Sequence, residues 1–139
     1  MKVIYWSGTG NTEAMANLIG KGLANNGKVT EILSVEKVNV DDLKNEDILV
    51  LGCPSMGNEV LEEVDFEPFV ESLKNIGSGK KACLFGSYGW GDGEWMRNWE
   101  EQMKGYGFEL PLESVIVNEA PEGDDEDICI KYGESIAKL

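Results

Sequence analysis

Three short stretches of this sequence combine glycine, hydroxyl, amide and aromatic side chains in patterns suited to holding a ligand. The first, Ser7-Gly8-Thr9-Gly10-Asn11-Thr12, offers two glycines for close backbone approach and four side chains able to hydrogen-bond an anion, with a helix opening behind it. Such a loop suits phosphate. It contains no Lys or Arg, so binding must run through amide N–H groups and the hydroxyls of Ser7, Thr9 and Thr12, which fits one terminal monophosphate. A nucleoside-triphosphate loop would carry Gly-Lys-Ser/Thr. A dinucleotide fingerprint would place glycine where Glu13 stands, although Glu31 does lie about twenty residues on. The plain structural alternative is a helix cap with turn glycines.

A second stretch, Ser87-Tyr88-Gly89-Trp90-Gly91-Asp92-Gly93, sets a tryptophan between glycines, where its ring projects freely and can stack on a flat ligand. A core-filling indole is the competing reading. Trp95 and Trp99 differ, since their four-residue spacing on a helical segment points to core packing. Between these stretches, the loop from Cys53 to Glu59 contains Met56-Gly57-Asn58-Glu59: an adaptable thioether, a flexible glycine and a turn-tolerant asparagine. Alone it reads as an ordinary turn.

The elements that position these loops alternate. Lys2 to Trp6 reads as a strand, and from Thr12 the apolar residues Met15, Leu18, Ile19 and Leu23 recur at helical spacing up to Gly27. Val29 to Val35 gives a second strand and the unbroken apolar run Ile48 to Leu51 a third. A helix carrying Phe69, Val70 and Leu73 has Pro68 in its first turn, and Ala82 to Phe85 is a fourth strand. Trp95, Trp99 and Met103 share one helix face, Leu110 to Val117 supplies a last, interrupted strand, and Ile128, Tyr132, Ile136 and Leu139 make the closing helix amphipathic. Periodicity fails between Ser34 and Asn45, where Asp41-Asp42-Leu43 forms at most a short helical turn. Alternating strands and helices with short connections imply an α/β fold, a parallel sheet covered on both faces. In such sheets ligands bind beyond the carboxyl ends of the strands, the edge that all three loops leave.

At 139 residues the chain has the length of one domain, expected to span residues 1–139. It contains no histidine, which removes the commonest general base and the commonest transition-metal ligand. Its cysteines, Cys53, Cys83 and Cys129, form no Cys-x-x-Cys pair and read as packing thiols, so no metal is expected. The net charge of -14 argues against nucleic acid and anionic membrane surfaces; a basic protein partner is its natural complement, while charge count alone favours acidity that merely serves solubility. No apolar run approaches the roughly 18 residues of a membrane span, and Met1 to Trp6 lacks a signal-peptide pattern; the expected location is the cytoplasm.

Taken together, Trp6-Ser7-Gly8-Thr9-Gly10-Asn11-Thr12, Met56-Gly57-Asn58-Glu59 and Gly86-Ser87-Tyr88-Gly89-Trp90-Gly91-Asp92-Gly93 resemble the short-chain flavodoxins of anaerobic, clostridial-like bacteria. The resemblance covers essentially the whole chain. It implies a flavodoxin-like, doubly wound, five-stranded parallel sheet of order 2-1-3-4-5 and one non-covalently bound flavin mononucleotide, FMN. It implies further that Ser7 to Thr12 hold the phosphate, that Met56 and Trp90 lie against opposite ring faces, and that Glu59 accepts from the ring N3–H. Trp6, Pro54, Ser55, Ser87, Tyr88, Asp92 and Gly93 belong to the same implied binding set, with backbone amides around Gly89 to Gly91 at the pyrimidine edge and Asn118 near the ribityl chain or ring. The implied function is that of a low-potential, one-electron carrier without a substrate-turnover site of its own. It would be monomeric, and its acidic flavin edge would dock oxidoreductases that otherwise use ferredoxin.

An FMN-dependent NAD(P)H:quinone reductase is the alternative on the same fold, but it needs room and positive charge for a dinucleotide, which the loops do not offer. A receiver domain needs acids where Ser7 and Cys53 stand, and a small cysteine phosphatase needs a nucleophilic cysteine and an arginine in the first loop. In flavodoxins of this kind the peptide after Gly57 is implied to turn its carbonyl toward the ring N5–H on one-electron reduction, a movement that a side chain would hinder. The acids Glu59, Glu62, Glu63, Asp65, Asp92 and Glu94 would then disfavour a second electron by repulsion. Substituting Gly57→Thr is expected to lower the population of half-reduced flavin in a redox titration; an unchanged population would count against the movement.

Overall fold

The computed structural model describes residues 1–139. Five strands, β1 (Lys2–Tyr5), β2 (Glu31–Ser34), β3 (Ile48–Gly52), β4 (Lys81–Tyr88) and β5 (Val115–Asn118), form one sheet of order β2-β1-β3-β4-β5, every pairing parallel. Four helices connect or follow them: α1 (Asn11–Asn25), α2 (Phe66–Ser72), α3 (Glu94–Gly105) and α4 (Asp124–Ala137). The α/β class and the implied strand order are both present.

Strand residues divide alternately between the two faces. Val3, Val50, Cys83, Phe85 and Val117 pack with Met15, Ile19 and Leu23 of α1 and with Cys129, Tyr132 and Ile136 of α4. Ile4, Leu49, Leu51, Ala82 and Leu84 pack on the opposite face with Phe66 and Val70 of α2 and Trp95, Trp99 and Met103 of α3. Covering both faces makes alternate residues equally apolar, which is why β3 and β4 read as unbroken hydrophobic runs. Trp95 and Trp99 are buried core residues as their spacing implies, Trp99 meeting Phe66 edge-on at 5.4 Å. All three cysteines are buried, and burial pushes the Cys129 thiol up to about 12.

The last strand is shorter than the expected Leu110 to Val117. Glu109 makes an isolated bridge with Lys81, after which Pro111, with no N–H to give, interrupts the ladder until Val115. At the other edge, pairing starts at Glu31 instead of Val29, which is 87% exposed, and Val35 already opens a short 3-10 turn. Asp41-Asp42-Leu43 lies in another such turn, Val40–Leu43.

Helices α1 and α4 cross where both carry glycine. A Cβ on Gly22 would stand 2.0 Å from the Ile130 carbonyl oxygen, and one on Gly133 would stand 2.0 Å from that of Ile19. Alanine normally favours a helix over glycine by about 1 kcal/mol, but here overlap with a backbone oxygen dominates. Gly133→Ala is therefore expected to destabilise the chain by roughly 1–3 kcal/mol in urea unfolding. Gly105→Ala, with nothing within 4 Å of the added carbon, should be neutral or stabilising; equal effects at both positions would contradict the close crossing.

Candidate functional site

Each helix starts where a strand has ended, so the helix N-termini gather at the carboxyl edge of the sheet. At that edge α1 begins after Gly10, whose φ of 95° is a left-handed conformation and which has no side chain to cap the helix. Ser7 supplies the missing acceptor: its Oγ takes the N–H of Gly10 at 3.1 Å and that of Glu13 at 3.3 Å. The loop thus curls around its own serine, leaving the first-turn amides of Asn11 and Thr12 without protein acceptors. Free amides at the positive end of a helix, in a loop without lysine or arginine, form a donor set that fits a phosphate group.

Thr12 is placed differently from its neighbours. It is only 1% exposed, and its Oγ1 lies 3.0 Å from Oγ of Ser87, itself 4% exposed. The backbone N–H of Ser87 also reaches Thr12 Oγ1 at 3.4 Å. This buried hydroxyl pair ties the first loop to β4. It also shows that Gly86, Ser87 and Tyr88, expected in a loop, end a strand, so the third loop begins at Gly89.

The middle loop is tied to the same strand. Cys53 N–H donates to Phe85 O at 3.1 Å and Ser55 N–H to Ser87 O at 2.9 Å, extending the β3–β4 ladder past the end of β3. Trp95 Nε1 donates to Cys53 O at 3.1 Å from below. Beyond Ser55 the chain doubles back: Met56 and Val60 exchange both backbone hydrogen bonds, at 2.8 and 3.0 Å, around a three-residue tip. Gly57 in that tip is exposed with φ 49°, and no atom lies within 4 Å of a Cβ built there. A side chain at Gly57 would therefore be opposed by backbone strain rather than by collision.

These loops enclose a cavity of about 240 Å³. Of the expected binding residues, Trp6 to Thr12 except Gly10, Pro54 to Met56, and Ser87 to Gly89 line it. Gly10, Gly57, Asn58, Glu59, Trp90 to Gly93 and Asn118 do not. Trp90 projects from the third loop at 62% exposure, as a tryptophan between glycines should. Asn118 ends β5 and gives its Nδ2 hydrogens to the Tyr88 carbonyl at 3.3 Å. The following residue, Glu119, is the one from this segment that reaches the cavity, its Oε1 lying over Gly89. Its left-handed φ of 60°, uncommon for a residue with a side chain, has no signature in the sequence.

The acids around the rim are less free than their number suggests. Glu62 is 6% exposed and accepts three backbone N–H bonds, from Val64 at 2.8 Å, Asp65 at 2.9 Å and Phe66 at 2.8 Å, anchoring the middle loop to the start of α2. Glu59, 7% exposed, accepts from the Asp92 N–H at 3.0 Å and so bridges the middle and third loops. Asp92 pairs with Arg97 at 2.9 Å, and that guanidinium holds its carboxyl below the usual range. Glu63, Asp65, Glu94 and Glu119 make no ion pair in the structure, and they remain as negative charge near the rim.

A larger hollow of about 700 Å³ lies at the opposite edge, among Met1, Lys28, Val29, Asp47, Lys81 and Leu139. Those residues precede or open strands or follow α4, so no helix N-terminus faces it, and it offers no counterpart to the amide cradle. No cluster of metal-ligating side chains is present, and no helix is long and apolar enough to cross a membrane.

Comparison with known proteins agrees with this geometry. The flavodoxin family profile matches residues 3–133. The chain is 55% identical to the flavodoxin of Clostridium beijerinckii over 139 residues, covering all of both chains. It is 46% identical to the flavodoxin of Megasphaera elsdenii, over 99% of this chain and 98% of that one. The solution structure of two-electron reduced Megasphaera elsdenii flavodoxin superposes with a TM-score of 0.91, covering 99% and 98% of the two chains. A flavodoxin from the domain Archaea, 28% identical, gives 0.87 over 99% of this chain and 97% of its own. These matches favour an electron carrier over the reductase alternative. The chain belongs to the flavodoxin family, whose members are small FMN-binding proteins that transfer electrons without converting a substrate.

Proposed function

We propose that residues 1–139 act as a single-domain, low-potential, one-electron carrier whose FMN sits at the convergence of the three loops. The observation that carries this reading is the amide cradle of the first loop, opening onto a cavity that the other two loops complete. When bound, FMN supplies a ring that takes up and gives back single electrons. Everything else is the work of the chain. Ser7, Thr9, Asn11 and the amides of Gly8, Thr9, Asn11 and Thr12 hold the phosphate, while Thr12 and Ser87 keep that loop in place. Trp6, Pro54, Ser55, Tyr88, Gly89 and Glu119 flank the ribityl chain, with Asn118 behind Tyr88.

Met56 and Trp90 would cover the two ring faces, and the Gly57 carbonyl on its exposed tip would accept a hydrogen bond from the ring. Asn58 completes that tip. Glu59 and the backbone from Gly89 to Gly93, including Gly91 and Asp92, meet the pyrimidine edge. Unpaired rim carboxylates disfavour added negative charge, which supports a low potential for the second electron.

The same carboxylates support docking of basic surfaces on oxidoreductases that otherwise use ferredoxin, and Val60, Val64 and Trp90 leave apolar surface exposed beside them. A monomer working in the cytoplasm fits this reading. Anaerobic reduction of the purified, FMN-loaded protein should proceed in two resolved one-electron steps, with NADPH left unconsumed. Failure to retain FMN, or direct two-electron reduction by NADPH, would contradict the proposal. Ser7→Ala should weaken FMN binding roughly tenfold, by loss of one organising hydroxyl, and riboflavin binding far less; equal losses for both ligands would contradict the phosphate assignment.

A further inference from the structure

We propose that Arg97 is a positioning residue for the pyrimidine edge of the bound ring, acting through Asp92 on the carboxylate of Glu59. The inference rests on the reading above that Glu59 hydrogen-bonds the ring. Arg97 is the fourth residue of α3, and its side chain runs back toward the helix N-terminus, the direction in which helical side chains lean. Its Nη1 donates to the Asp92 carbonyl at 3.0 Å and its Nη2 to Asp92 Oδ1 at 2.9 Å. One planar guanidinium therefore grips a main-chain and a side-chain oxygen of a single residue. An ammonium cannot reproduce that fork. The N–H of the same residue donates to Glu59 Oε1 at 3.0 Å, completing a chain from α3 through the third loop to the middle loop.

Without the clamp, Asp92 would be held poorly. It stands between Gly91, with φ 90°, and Gly93, with φ 95°, so the backbone is permissive on both sides. A stiffer residue at Gly91 would be strained by the left-handed φ and would have to displace the Glu59 carboxylate, whose Oε1 lies 1.8 Å from where a Cβ would stand. Rigidity must then come from outside the loop, and Arg97 brings it. Residues 53–65 and 87–94 contain no Lys or Arg, and Arg97 is the first basic residue after Lys81. Asp92 pushes the guanidinium above its ordinary range, with Glu59 and Glu94 adding to the effect.

The pair is exposed, with side-chain exposures of 59% for Arg97 and 79% for Asp92, so it contributes little to global stability. That separates orientation from folding. The test uses the full chain carrying Arg97→Gln or Arg97→Lys, each alone and combined with Glu59→Gln. FMN dissociation constants are measured by titration at low salt and at about 0.5 M salt. Hydrogen exchange of the Asp92 amide is followed by NMR without FMN, and urea midpoints serve as the folding control. Arg97→Gln should raise the dissociation constant roughly two- to fivefold, and Arg97→Lys should fail to restore it at either salt concentration. In the Glu59→Gln background the effect should vanish. The Asp92 amide should exchange faster in Arg97→Gln while the urea midpoint stays put. An undiminished Arg97→Gln effect beside Glu59→Gln, full rescue by lysine at low salt, or an unaltered Asp92 amide would overturn the proposal. Failure of the unsubstituted chain to bind FMN would instead strike the functional reading, and the Asp92 exchange would still decide whether the clamp exists.

Discussion

The site depends on the reversal of strand order between β1 and β3. From β1 the chain crosses over α1 to β2 on one side, whereas from β3 it crosses over α2 to β4 on the other. Right-handed crossovers in opposite directions place α1 and α2 on opposite faces of the sheet. The loops leaving these adjacent strands consequently part company and leave a crevice between them, which the loop after β4 closes. Two buried contacts hold the crevice in shape: the Thr12–Ser87 hydroxyl pair, and the Trp95 indole under the Cys53 carbonyl. Both link the β4–α3 unit to the other two loops, so the amide cradle of the first loop and the cavity beside it share one support.

A strongly acidic chain that holds a phosphate without a cation must separate its charges carefully. In the proposed site, phosphate recognition would fall to backbone amides around Ser7, where helix geometry fixes the donors and no counter-charge is required. Nearby carboxylates are managed individually. Three amides compensate Glu62, an amide of the third loop takes up Glu59, and Arg97 pairs with Asp92. On the proposed site, repulsion at the ring would therefore fall to Glu63, Asp65, Glu94 and Glu119 more than to the full set of acids counted along the sequence.

Much of this was legible in the residues. The cores of β1, β3 and β4 announce themselves as apolar runs, α1 and α3 as four-residue spacing, and the phosphate loop as hydroxyls and glycines ahead of a helix. Less legible was whatever depends on distant partners. Gly86 and Ser87 read as turn residues, yet Gly86 is a strand residue, since its bare Cα leaves room for the Cys53 carbonyl, and Ser87 is a strand residue paired with Thr12. Gly22 and Gly133 carry no local signal because each is required by a helix more than a hundred residues away. Glu119 reaches the cavity only through an unusual backbone angle, and Arg97 resembles any exposed helical arginine until its two acceptors are seen.

The most direct test is a crystal structure of the chain with FMN bound. The phosphate is expected within hydrogen-bonding distance of the amides of Gly8, Thr9, Asn11 and Thr12, and the ring between Met56 and Trp90. FMN seated in the hollow beside Met1 and Lys81, or a phosphate remote from the first loop, would contradict it.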